Sequence, residues 1–132
     1  RQRQMCIRDR GYEEMKSRHI YFRPVKLKND GRALALTEYG GYILAVDGHR
    51  WTDKVFGYRI CRNSAALAHD YEKLMLGQVL PHIRKEGLTA AVYTQITDVE
   101  EELNGLMTYD REVLKIPEET LREINAALRF DA

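Results

Sequence analysis

The sequence has few of the residues that build disulfide frameworks or metal sites. It contains two cysteines, Cys6 and Cys61, which form no CxxC pair and have no metal-ligand spacing. The cysteines therefore indicate neither a disulfide framework nor a zinc site. The four histidines include no HxxxH pair, which argues against a metal site on a helix. We predict that the protein needs no metal and no cofactor.

Long apolar runs and an excess of charge of one sign are also missing. No run approaches the roughly 20 apolar residues of a membrane-spanning helix, and no charged-then-apolar signal opens the chain. The 21 basic and 20 acidic residues leave a net charge of +1, which gives no electrostatic reason to bind nucleic acid or an anionic membrane. We predict neither partner. The localisation stays open, with the cytoplasm as the default.

The first ten residues, RQRQMCIRDR, are basic and have neither a hydrophobic period nor a helix cap. They resemble a peptide translated from sequencing-adapter DNA, and a disordered basic arm is the alternative. We predict that residues 1–10 are a leader outside the fold and that residues 11–132 form the domain.

Two apolar runs predict buried strands. Residues 33–36 are continuously apolar and lead to Glu38, after which Gly40 and Gly41 break the run. Residues 88–97 form the second run, and a short strand is predicted at 19–22. Such continuous runs are typical of parallel sheets. Between them, a helix capped by Asn63 or Ser64 is predicted to reach about Lys85, so the order indicates a parallel α/β fold.

Several motifs, in order, resemble the C-terminal part of the catalytic barrel of glycoside hydrolase family 2. That family includes β-galactosidases, β-glucuronidases and β-mannosidases. The resemblance covers about residues 17–116. Its motifs are TEYGGY at 37–42, GY at 57–58, AVYTQITDVE at 91–100, NGLMTYDR at 104–111, and Lys115. It implies an incomplete (β/α)8 TIM barrel, made of about the last three strands with their helices.

The resemblance implies the roles of four residues. Glu38 matches the catalytic nucleophile of a retaining β-glycosidase, which attacks the anomeric carbon of the sugar. Asn104, Tyr93 and Tyr21 are the implied contacts to the substrate or to Glu38. The β-glucuronidase Asn-x-Lys pattern is absent because Leu106 stands in place of the lysine, so a neutral, β-galactoside-like sugar is expected. We expect the four side chains to converge on one rim.

The second carboxylate of a retaining glycosidase is not found in this sequence. The family's acid/base glutamate follows an asparagine, and no Asn-Glu pair occurs here. We therefore expect this chain alone to be inactive, a fragment that lacks the N-terminal half of the barrel and the accessory β-domains of its parent. The alternative function is a noncatalytic carbohydrate-binding or interaction module. In that case aromatic residues of the loop after Gly41 would stack on sugar; they are Tyr42, Trp51, Phe56 and Tyr58.

Overall fold

The computed structural model describes residues 15–21, 23–57 and 59–129, so the predicted leader at 1–10 lies outside the described residues. The strands are β1 (Met15–Ile20), β2 (Ala33–Gly40), β3 (Tyr42–Ile43), β4 (Arg59–Ile60) and β5 (Leu88–Thr94). The helices are α1 (Ser64–Leu74), α2 (Leu80–Glu86) and α3 (Glu118–Ala127), and a π-helical turn (Met75–Val79) joins α1 to α2. The peptide bond between Thr94 and Gln95 is cis.

A three-stranded parallel sheet positions Glu38. Its strand order is β1-β2-β5, with β2 in the centre. The predicted parallel pairing of the Glu38 strand with the second apolar run is confirmed, since Leu36 lies opposite Ala91 and Tyr39 opposite Tyr93. The helical segment 64–86 lies between these two strands in the chain, as predicted from the sequence, and β3 and β4 precede it. β3 and β4 form a separate two-stranded parallel sheet.

The ends of the long helix follow local chemistry. The side chain of Asn63 accepts a hydrogen bond from the Ala66 amide and caps the N-terminus. Gly87 ends the helix in the left-handed conformation, with φ 66°. Pro81 has no amide to donate to Gly77, and just before it the helix widens so that the Leu80 amide donates to the Met75 carbonyl. Pro81 therefore neither ends nor breaks this helix.

The prediction of a TIM-barrel portion is wrong. The described residues form two small parallel sheets, of three and two strands, and only two helical segments, 64–86 and 118–127. In a (β/α)8 barrel a helix follows every strand. Here β1 leads to β2 through a connection without a described helix, and residues 95–117 after β5 form turns and isolated bridges. Only the β2-helix-β5 unit repeats the barrel pattern, and the fold is a mixed α/β arrangement.

The core lies between one face of the sheet and the helices. β2 contributes Leu34, Leu36 and Tyr39, and the helical segment 64–86 packs its apolar stripe on them. The partners from the helices are Leu67, Tyr71, Leu74, Met75, Val79 and Ile124. Among the described residues, no helix has the length and apolar character needed to cross a membrane.

Candidate functional site

A bulge in β2 turns Glu38 away from the core. Strict alternation from Leu34 and Leu36 would point residue 38 into the core. Instead Arg18 lies opposite Leu36 and His19 lies opposite Glu38, so that Thr37 is the extra residue. The Thr37 hydroxyl is 2.7 Å from Ser17 Oγ and donates to the Arg18 carbonyl, which ties the bulge to β1. Tyr39 then occupies the core face, and Glu38 lies on the other one.

The Glu38 carboxylate has two partners on or next to β1. The Tyr21 hydroxyl donates to Glu38 Oε2 at 3.2 Å. His19 Nδ1 lies 3.3 Å from the same oxygen. The Glu38 side chain is 48% exposed, so a ligand in solvent can reach it. The predicted contact of Tyr21 with Glu38 is present in the structure, whereas His19 was missed because nothing in the sequence pattern pairs it with residue 38.

Tyr93 is partly buried and packs against the core, on the face opposite to Glu38. Its ring makes edge-to-face contacts with Tyr39 and Tyr71, with ring centroids 5.7 and 5.1 Å apart. A Cβ at Gly40 would overlap the Tyr93 ring, whose Cζ lies 2.9 Å from that position. Burial raises the pKa of Tyr93, and its hydroxyl is buried without a hydrogen-bond partner among the described residues. The structure therefore does not bring Tyr93 together with Glu38.

Asn104 lies in the segment after β5 and is 9% exposed. Its side-chain oxygen accepts a hydrogen bond of 2.6 Å from Gln95 Nε2, and its carbonyl accepts one from the Gln95 amide. Gln95 follows Thr94, which pairs with Gly40 near the end of β2. Asn104 and Glu38 thus belong to the same, carboxyl end of the sheet, and no hydrogen bond joins them in the described part of the chain.

A buried ion pair holds the Asn104 segment in place. Lys115 Nζ donates to Asp98 Oδ1 at 2.7 Å and to the Leu103 carbonyl at 3.1 Å. Burial raises the pKa of Asp98 and lowers the pKa of Lys115. The same Asp98 oxygen accepts from the Gly105 amide. A Cβ on Gly105 would overlap the backbone at Thr97 and Asp98. The glycine of the Asn-Gly pair therefore allows the two backbone segments to lie close together.

The loop aromatics divide into packed and exposed residues. Tyr42 packs against the core, while Trp51 and Phe56 are 65% and 55% exposed. Tyr58 lies outside the described residues. The Trp51 ring meets the ring of Tyr109 edge to face, at a centroid distance of 6.0 Å. The sequence did not reveal this pair because the two residues are distant in the chain.

One histidine with two carboxylates offers the elements of a cation site. The ligand atoms of His49, Asp110 and Glu112 all lie within 4.8 Å of one another. His49 Nδ1 is 2.8 Å from Asp110 Oδ2 and 3.9 Å from Glu112 Oε2. The Thr108 hydroxyl and the Glu112 amide both donate to the other Asp110 oxygen. The cluster joins two loops, and because its members have no HxxxH spacing the sequence pattern did not predict it.

Comparison with known proteins gives no family for this chain. No protein-family model matches it, and no curated protein matches it. The glycoside hydrolase resemblance stays a prediction, carried by the motifs around Glu38 and Asn104.

Proposed function

We propose that this chain carries the nucleophile of a retaining β-glycosidase and that the nucleophile is Glu38. The hydrogen bond from Tyr21 to Glu38 Oε2, at 3.2 Å, supports this role best. The carboxylate is half exposed and lies near the carboxyl end of the central parallel strand. In open α/β sheets, ligands bind outside the carboxyl ends of the strands.

The chemistry assigns one task to each oxygen of the carboxylate. Tyr21 and His19 both lie at Oε2, which leaves Oε1 to attack the anomeric carbon. The bond from that carbon to the leaving oxygen breaks as the bond to Oε1 forms, and the leaving oxygen takes a proton from a general acid. Water then cleaves the glycosyl ester and regenerates Glu38.

The proposed substrate is a β-glycoside of a neutral sugar, with β-galactosides favoured. Asn104 is the proposed sugar contact, and its hydrogen bonds with Gln95, which directly follows β5, support a position at the carboxyl end of the sheet. Tyr93 is left out of the site, since its ring packs against Tyr39 and Tyr71.

The general acid is the missing part. A retaining enzyme needs a second carboxyl group about 5 to 5.5 Å from the nucleophile, and the family's Asn-Glu pair is absent from the sequence. We therefore propose that the acid is supplied from outside these residues and that the isolated chain turns over no glycoside. Loss of general acid catalysis alone typically costs about 10²- to 10⁴-fold in rate.

A noncatalytic carbohydrate-binding module is the second candidate. The exposed rings of Trp51 and Phe56 favour it, since rings of this kind serve as binding surfaces. The two functions differ in one respect: only the glycosidase forms a covalent bond between the sugar and Glu38.

The experiment uses nitrophenyl β-galactoside, β-glucuronide and β-mannoside, followed by a 2-deoxy-2-fluoro-β-glycosyl fluoride. The purified chain is expected to release at most one nitrophenol per chain and then stop, because a nitrophenyl leaving group needs little acid, whereas hydrolysis of the glycosyl ester needs the missing acid/base group. Turnover that Glu38→Gln abolishes would overturn the proposal that the chain lacks its acid. The fluoro sugar has a leaving group that needs little acid, and it is expected to add one sugar to the intact protein over hours. Tyr21→Phe should slow that addition about tenfold, because it removes a hydrogen bond to a charged group.

A further inference from the structure

An exposed aromatic pair, Trp51 with Tyr109, lies apart from Glu38's own contacts. Trp51 is 65% exposed and Tyr109 is 42% exposed. Their rings are inclined by 81° with centroids 6.0 Å apart. In this arrangement the edge of one ring meets the face of the other, so both faces of the edge-on ring stay uncovered by its partner. Large aromatic rings are usually well buried, and two exposed neighbours indicate a binding surface.

The two loops that carry the pair are fastened together beside it. His49 Nδ1 lies 2.8 Å from Asp110 Oδ2, which joins the loop between β3 and β4 to the segment after β5. Asp110 is held in turn by the Thr108 hydroxyl at 2.6 Å and the Glu112 amide at 3.1 Å. The residues next to the two rings are therefore fixed by polar contacts. These contacts hold the two loops together beside the rings, which lowers the conformational entropy lost when a ligand binds.

The two segments that carry the pair come after paired parallel strands in the chain. The Trp51 loop connects β3 to β4, with β3 directly after β2, and the Tyr109 segment follows β5. Loops at the carboxyl ends of the strands carry the ligand sites of parallel α/β folds, and Glu38 lies near the end of the same β2 strand.

We propose that Trp51 and Tyr109 form a stacking subsite for a pyranose ring of the glycoside other than the ring attacked by Glu38. The axial C–H bonds of a pyranose form an apolar face with positive partial charge, and the face of an aromatic ring is negative. Polar groups for the sugar hydroxyls stand on the same loop: Arg50 Nη2 lies 3.1 Å from Asp53 Oδ1 and 3.4 Å from Asp47 Oδ1. Both aspartate side chains are 95% exposed. The choice of a sugar as the occupant rests on the proposed function.

Trp51 reports on its own site because it is the only tryptophan in the sequence. Its emission is measured in the full chain during titration with methyl β-galactoside and with lactose, and sorbitol serves as an acyclic polyol control. A saturable change is expected with both pyranosides, in the millimolar range that fits one or two stacked rings. No saturable change is expected with sorbitol, which has no apolar ring face.

Three variants locate the response. Tyr109→Ala should weaken pyranoside binding about fivefold, the scale of one aromatic contact. Ile60→Ala removes an exposed apolar side chain on β4 and should leave binding unchanged. Trp51→Ala, which removes the fluorophore, is followed by saturation-transfer NMR on the sugar protons, where the signal from the ring face should disappear.

The proposal is overturned by a response that does not saturate, by an equal response to sorbitol, or by full binding in Tyr109→Ala. It is also overturned if Trp51→Ala keeps the transfer signal. Failure of the subsite is distinguishable from failure of the proposed function, because covalent addition of the fluoro sugar depends on Glu38. That addition can succeed without a Trp51 response, and a Trp51 response can occur without the addition.

Discussion

Lys115 and Asp98 form an ion pair of 2.7 Å inside the protein, and their side chains are 0% and 1% exposed. The pair links the segment that carries Asn104 to the stretch before α3. Two charges in such a place are tolerated because each is hydrogen-bonded further, Lys115 to the Leu103 carbonyl and Asp98 to the Gly105 amide.

The first prediction concerns the removal of one charge of this pair. Lys115→Met should lower the free energy of unfolding by roughly 3 to 5 kcal/mol, because it leaves Asp98 buried without a counter-charge. Lys85 is exposed, so Lys85→Met is the control and should change the free energy of unfolding by less than about 0.5 kcal/mol. Asp98→Asn combined with Lys115→Met should recover part of the loss, as measured by urea unfolding. Equal losses for Lys115→Met and Lys85→Met would contradict the buried pair.

The second prediction compares the hydroxyl groups of Tyr93 and Tyr71. Tyr93→Phe removes a buried hydroxyl without a hydrogen-bond partner in the described structure, so the unfolding free energy should stay equal or rise by about 1 kcal/mol. Tyr71→Phe is the matched control, because its hydroxyl donates to Asn125 Oδ1 at 2.9 Å. That change should cost about 1 kcal/mol. If Tyr93→Phe lowers the unfolding free energy as much as Tyr71→Phe does, the Tyr93 hydroxyl has a hydrogen-bond partner and the prediction is wrong.

The third prediction concerns pH and the buried thiol of Cys61. Burial, with a smaller contribution from the charge of Asp70, raises the pKa of Cys61 to about 11. An unfolded cysteine loses its proton near pH 8.5, so between about pH 8.5 and 11 the folded state binds more protons. The contribution of Cys61 to stability is then complete below pH 8.5 and decreases as pH rises toward 11.

The measurement compares Cys6→Ser with Cys6→Ser combined with Cys61→Ala. Their difference in unfolding free energy should shrink between pH 8 and pH 10.5. In Cys6→Ser, iodoacetamide at pH 8 should react with Cys61 roughly 100-fold more slowly than with a free cysteine, because little thiolate is present. Rapid alkylation of the folded protein would contradict the raised pKa.

The sequence predicted the β2-helix-β5 unit because its signals are local. The apolar runs and the Asn63 cap each act within a few residues. The prediction of a barrel was wrong because it rested on the order of motifs in the sequence. That order does not determine which elements pack against a strand. The face of the sheet on which Tyr93 lies depends on its pairing with Tyr39, which follows the bulge at Thr37. The hydrophobic periodicity of the sequence does not predict a bulge.

The site was predictable only where its residues belong to neighbouring strands. The Tyr21 contact with Glu38 is consistent with strand order, since β1 and β2 are adjacent. The Lys115 pair with Asp98 and the His49 contact with Asp110 join distant segments. Contacts of this kind depend on how the irregular segments of the chain pack against the sheet. Neither the composition nor the hydrophobic periodicity of the sequence predicts that packing.

Peptide mapping after incubation with the 2-deoxy-2-fluoro-β-galactosyl fluoride tests the role of Glu38 most directly. Only stoichiometric labelling is needed, so even a rate reduced about 10⁴-fold by the missing acid is measurable. The account predicts one sugar per chain, attached through an ester to the peptide that contains Glu38, and no label in Glu38→Gln. A label on another carboxylate, or equal labelling of Glu38→Gln, would contradict the assignment of Glu38 as the nucleophile, as would an unlabelled wild-type chain.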